Sequence, residues 1–159
     1  MRISATAAMA VLAALLAACS STGSVVTTDI TVTNTVTLQS PIDPEVATYA
    51  PKFIAALQRQ GFKVGATNNV HAMQLRLAFN GNLFDTRVAA ELWHDGVPIL
   101  TASATNSGWG TMIAHGAAVE NLADSAVTIF EKKLSELRPH LRIVDEPSQQ
   151  TKKSTAESI

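Results

Sequence analysis

The chain has 159 residues, with 12 Lys and Arg against 13 Asp and Glu, for a formal net charge of −1. That length suits one domain with a core of its own. The near-neutral balance excludes the basic field that nucleic acid or an anionic bilayer selects. A single cysteine, Cys19, excludes a disulfide within the chain.

The first stretch carries the most specific signal. Arg2 and the amino terminus form a short charged region, and Ala7 to Leu16 is apolar throughout. A transmembrane helix needs about 20 such residues; this run has about half that and reads as the apolar region of a signal peptide. Leu16-Ala17-Ala18-Cys19 closes it, and Ser20-Ser21-Thr22-Gly23-Ser24 follows. This pattern resembles the lipobox of bacterial lipoproteins: a leucine, two small residues, then the cysteine that receives lipid. The resemblance implies cleavage before Cys19, a diacylglycerol on its thiol and a further acyl chain on its amine. Each buried CH₂ contributes roughly 0.8 kcal/mol, so two or more chains hold stably where one is marginal. Ser20, where an aspartate tends to retain such proteins at the inner membrane, implies the inner leaflet of the outer membrane in a Gram-negative cell, with the domain in the periplasm. The expected partner of Cys19 is therefore the membrane itself.

Removal of residues 1–18 leaves 141 residues and a formal charge of −2. The expected organisation is a signal peptide at 1–18, a lipidated N-terminus and flexible Ser/Gly tether at 19–27, a single domain at 28–144 and a disordered polar tail at 145–159.

Asp29 to Gln39 alternates strictly: Ile30, Val32, Val36 and Leu38 on one face, Thr31, Thr33, Thr35 and Thr37 on the other. This predicts one half-buried strand with a solvated threonine face, and Asn34 marks a bulge. Asp43-Pro44-Glu45 reads as a helix start. Pro51 then demands either a kink or a fresh helix running to Gln60, with Phe53, Ile54 and Leu57 as its apolar stripe. Gly61 suits the left-handed position after the helix, with Phe62 folding back, and Phe62-Lys63-Val64 opens a short strand. Met73 to Phe79 is a strand by alternation, ended by Asn80-Gly81-Asn82.

Arg87 to His94 and Val97 to Thr105, joined by Asp95-Gly96, form a hairpin of type I′. A two-residue loop sets Leu92 opposite Ile99 and Ala90 opposite Thr101. One face is then Val88, Leu92, Val97 and Ile99; the other is Ala89, Trp93, Leu100, Ala102 and Ala104. Both are apolar, which leaves the core side open. Ala117 to Leu137 is helical, with Val119, Leu122, Ala126, Ile129, Phe130, Leu134 and Leu137 as its stripe, and Pro139 stops it. Leu141 to Val144 is a short edge strand. These elements predict an α+β fold: two layers, a mostly antiparallel sheet of four to five strands with two helices on one face.

Motifs for chemistry are sparse. His71, His94, His115 and His140 have no metal-ligand spacing, and His94 and His140 read as exposed. No Gly-x-Ser-x-Gly elbow, phosphate loop or dinucleotide fingerprint is present, so no cofactor and no metal is expected. Asp85, Glu91 and Asp95 are the carboxylates available for acid–base work. Trp109, between Gly108 and Gly110, is the candidate binding residue, either exposed for a sugar or a partner's pocket or folded back as a plug on the core. Trp93 reads as a sheet-packing residue.

From Pro51 to Leu137 the order of elements resembles small envelope lipoproteins of the YajG type, on Lys63-Val64-Gly65, the strand from Met73 and the helix around Ala123 to Ala126. The resemblance brings no site residue with it. The expected function is a non-catalytic lipoprotein that binds an envelope assembly or transport partner or a cell-wall glycan. The alternatives are a periplasmic hydrolase with a carboxylate or histidine site, and a self-associating structural lipoprotein.

Overall fold

The computed structural model describes residues 19–40, 42, 44–81, 85–107 and 115–144. The expected signal peptide at 1–18, the expected tail at 145–159, Asp43 and the Gly108-Trp109-Gly110 stretch lie outside the described residues. The strands are β1 (Cys19–Val25), β2 (Ile30–Thr33), β3 (Thr35–Leu38), β4 (Lys63–Val64), β5 (Met73–Gly81), β6 (Asp85–His94), β7 (Val97–Ser107) and β8 (Leu141–Val144). The helices are α1 (Pro44–Ala47), α2 (Ala50–Arg59) and α3 (His115–Leu137), and a 3-10 turn at Arg138–His140 follows α3.

The main sheet has six strands in the order β1-β7-β6-β5-β3-β4, and β2 pairs with β8 in a separate two-stranded unit. The β1–β7, β7–β6 and β6–β5 pairs are antiparallel, while β3 runs parallel to both β4 and β5. The fold is α+β with a mostly antiparallel sheet, as expected, with a sixth strand and the extra pair added.

The sixth strand is a correction. Residues Ser20 to Ser24, read as a flexible tether, belong to β1, which pairs with β7 from Cys19↔Asn106 to Val25↔Leu100. Hydroxyl side chains lock this register: Thr22 bonds Ser103 at 3.1 Å and Ser24 bonds Thr101 at 2.8 Å. Cross-strand hydroxyl pairs of this kind stabilise a sheet. The partners are 77 to 81 residues away, so local composition shows only small polar residues.

Asn34 breaks the expected long strand in two. On one side β2 pairs with β8; on the other β3 pairs with β4 and β5. The threonine row is accordingly not a solvated face. Thr31 is exposed, but Thr33 and Thr35 are buried, because the two halves lie in different sheets.

Pro51 starts a fresh helix. The chain breaks after α1, and Pro51 stands in the first turn of α2, where its missing N–H costs nothing. Gly61 has φ +85°, its N–H donates to the Gln58 carbonyl and the Phe62 N–H donates to the Leu57 carbonyl. This is the Schellman arrangement, and it turns Phe62 into the core. Phe53, Ala56 and Leu57 of α2 are buried, with Ile54 at the margin.

The β6–β7 hairpin turns at Asp95 (φ 48°) and Gly96 (φ 76°), as type I′ requires. A bulge lies just beyond it. His94 pairs with Val97 and Trp93 with Pro98, but Leu92 pairs with Leu100 rather than Ile99, and Ala90 with Ala102 rather than Thr101. Pro98, which has no N–H to donate to a ladder, sits beside the irregularity. One unpaired residue swaps the faces of the whole downstream strand. Leu100, Ala102 and Ala104 therefore join Val88, Ala90 and Leu92 on the buried face, and Ile99 is buried with them. A Cβ at Gly96 would meet no atom within 4 Å beyond its chain neighbours, while a φ of +76° strains an L side chain, so the expected cost is backbone strain. Gly96→Val should lose roughly 1–3 kcal/mol, read as a lower urea midpoint; an unchanged midpoint would contradict the turn.

Helix α3 lies over β7, β1 and β6. Its buried stripe is Val119, Leu122, Ala123, Ala126, Phe130, Leu134 and Leu137. Alanines on both surfaces let the helix approach closely. Phe130 meets Phe53 of α2 edge to face, with ring centroids 5.6 Å apart and planes at 85°. Outside this contact Lys52 pairs with Asp124, Arg59 with Glu131, and Gln60 bonds Ser135. The bond to the Asp124 carboxylate raises the pKa of Lys52 above its usual value. These exposed pairs align α2 with α3 and add little stability.

Candidate functional site

Three places bear on function. The first is the start of β1. Cys19, the expected lipid acceptor, is the first residue of the edge strand and pairs with Asn106 near the end of β7. The ends of β5 at Gly81, of β6 at Asp85 and of β7 at Ser107 share this end of the sheet. No helix among the described residues is long and apolar enough to cross a membrane.

The second is the sheet surface opposite the helices. Trp93 lies here, half-buried, as the sheet-packing residue expected. The Arg76 guanidinium carbon sits 3.8 Å from the centre of its ring, and its indole N–H donates to Glu91 Oε2 at 2.7 Å. Arg76 in turn donates from Nε to Gln74 Oε1 at 2.8 Å. The register explains the group, because Gln74 pairs with Trp93 and Arg76 with Glu91 across β5 and β6. A guanidinium stacked on an indole is a cation–π contact. With Arg76 on one face of the ring and Glu91 on its N–H, the cluster ties β5 to β6. Toward β1 the same surface carries the Thr22–Ser103 and Ser24–Thr101 hydroxyl pairs.

The third is the hairpin end. His94, expected as exposed, is 8% exposed. The rings of His71 and His94 lie with centroids 6.4 Å apart, and His94 Nε2 is 3.4 Å from Asp95 Oδ2. His94 Nδ1 and Thr33 Oγ1 are buried without a hydrogen-bond partner among the described residues. The Thr33 N–H donates to the His71 carbonyl, tying β2 to this end. Burial follows from register: His94 sits on the helix-facing side of β6 with Leu92 and Ala90. His140 stays partly exposed, 3.7 Å from Asp29.

The three carboxylates do not meet. Asp85 opens β6, Glu91 is bonded to Trp93, and Asp95 is exposed in the turn at the far end. Among the described residues no group of three or more His, Cys, Asp or Glu is placed to hold a metal ion. The candidate binding residues Trp109, Gly108 and Gly110 lie outside the described residues. The Trp93–Arg76–Glu91 network was missed in the sequence. Its signal was there in the alternation, which puts all three on one face once β5 and β6 are paired in register.

No protein-family model and no curated protein sequence matches the chain. Among solved structures it is similar to the PelC dodecamer from Paraburkholderia phytofirmans, at 15% identity and a TM-score of 0.43, over 78% of this chain and 99% of that one. A point variant of that protein in another crystal form gives 13% identity and a TM-score of 0.39, over 78% and 98% of the two chains. A minor lipoprotein from Acinetobacter baumannii is similar at 14% identity and a TM-score of 0.41, over 69% and 94%. At such identities each likeness concerns the course of the chain alone.

Proposed function

We propose that this chain is a non-catalytic envelope lipoprotein, held through lipid on Cys19 to the inner leaflet of the outer membrane, with its domain presented in the periplasm to an envelope protein or a cell-wall glycan. The observation that carries this reading is the lipobox Leu16-Ala17-Ala18-Cys19 ending where the folded sheet begins. Cleavage before Cys19 would remove the apolar segment and leave every described element intact. Asp85, Glu91 and Asp95 stand apart, so these three do not pair as acid and base on one bond. Within this reading Trp109, flanked by Gly108 and Gly110, is the candidate partner contact.

Cys19→Ser should abolish incorporation of radioactive fatty acid and leave a precursor that retains residues 1–18. Undiminished label on the variant would refute the reading.

A further inference from the structure

The proposed attachment point and the first residue of the sheet are the same residue. Pairing with β7 begins at Cys19↔Asn106 and continues unbroken to Val25↔Leu100. A free seven-residue Ser/Gly segment would let a domain wander about 15 Å from its anchor. Here those residues are hydrogen-bonded into β1, so no slack separates Cys19 from the body of the protein.

Strand direction then sets which end faces the bilayer. Cys19 is grouped with Gly81, Asp85 and Ser107, while the Asp95-Gly96 turn lies at the opposite end of the same strands. From Asn106 to Val97 is nine residues of β7, or about 30 Å at roughly 3.3 Å per residue. An acyl chain on the amine of Cys19 would leave from the end of β1, so its insertion in the bilayer holds this end of the sheet against the membrane. The exposed groups around Cys19 suit a headgroup layer: Asn80, Gly81 and Ser107 are uncharged, and Asp85 and Arg87 offset each other. Among these described residues the formal charges cancel, which matches a zwitterionic layer rather than an anionic one.

We infer that the domain stands on a zwitterionic bilayer by the Cys19–Gly81–Asp85–Ser107 end of its sheet, with the Asp95-Gly96 hairpin held about 30 Å away toward the periplasm. This rests on the lipid anchor proposed above. The Asp95-Gly96 hairpin is then the part of the domain farthest from the bilayer, and the Trp93 network stiffens the strands that carry it.

The test uses the lipidated full chain. Its sole thiol is consumed by lipid, so Ser107→Cys and Val97→Cys each introduce one labelling position. Both residues are exposed and both lie on β7. Each labelled protein is reconstituted into phosphatidylcholine–phosphatidylethanolamine vesicles that carry a headgroup energy acceptor. Transfer several-fold stronger from position 107 than from position 97 is expected, and a flexible Gly/Ser segment inserted between Cys19 and Ser20 should erase the contrast. Equal strong transfer from both positions would mean that the domain lies along β1, and equal weak transfer that β1 unzips into a tether; either overturns the inference while leaving the anchor intact. Protein that carries no fatty acid and does not join the vesicles would refute the anchor itself.

Discussion

Phe130→Ala should cost about 3–5 kcal/mol of folding stability, a large share of the roughly 5–15 kcal/mol a domain possesses. Phe130 is fully buried and is the only aromatic residue within α3. Its edge-to-face contact with Phe53 joins the two long helices over the sheet, and such a pair contributes about 0.5–1.5 kcal/mol beyond the area it buries. The surroundings make relaxation difficult. Ala56, Ala90, Ala102, Ala104, Ala123 and Ala126 form much of the core, and alanine has no rotamer with which to fill a void. Chemical denaturation should show a lower midpoint with an unchanged slope, and Phe130→Leu should recover part of the loss. A loss near 1 kcal/mol for the alanine variant would mean that α2 and α3 close over the gap and that the aromatic contact is not what holds them.

Gly23→Val should have the next largest effect, for a steric reason. A Cβ at Gly23 would fall 2.7 Å from Ile129 Cγ2 and 3.0 Å from both Lys133 Cγ and the Thr101 carbonyl oxygen. The carbonyl belongs to the sheet and cannot withdraw, and the methyl sits on a β-branched side chain with little rotamer freedom. The strand must therefore lift from α3. Overpacking of this kind costs roughly 1–3 kcal/mol, but the expected outcome is local, because β1 is an edge strand and its loss leaves the other five strands paired. Hydrogen exchange should accelerate several-fold at the amides of β1 and at the β7 amides that bond it, with β5 and β6 little changed. Unaltered protection in β1 would show that α3 does not press on it, and the absence of slack between Cys19 and the sheet would lose its support.

The residues that fold by local rules were legible in the sequence. Met73 to Phe79 alternates, Gly61 occupies a left-handed position, Asp95-Gly96 makes its turn, and the stripe from Val119 to Leu137 is helical. Each is decided by residues within a few positions of one another. What was not legible depends on distant partners. Ser20 to Ser24 looks flexible until Thr101 and Ser103 stand beside it. Thr33 and Thr35 look solvent-facing until the chain turns at Asn34 from one sheet to another. The core side of β7 rests on one bulged residue, Ile99, which moves Leu100, Ala102 and Ala104 to the helix face and, with Trp93 opposite Pro98, defines the outer surface. His94 is polar and next to a turn, so composition alone puts it in solvent; the parity of β6 buries it. The candidate site follows the same division. Cys19 is marked by its immediate neighbours, whereas the joining of that residue to the sheet and the Trp93 network are properties of pairing.

The intact mass of the mature protein, extracted with detergent from envelopes, tests the anchor most directly. A chain that begins at Cys19 and carries the mass of a diacylglyceryl group and one further acyl chain, all of it located on the first peptide, is the predicted result. An unmodified chain, or one that still contains residues 1–18, would contradict it.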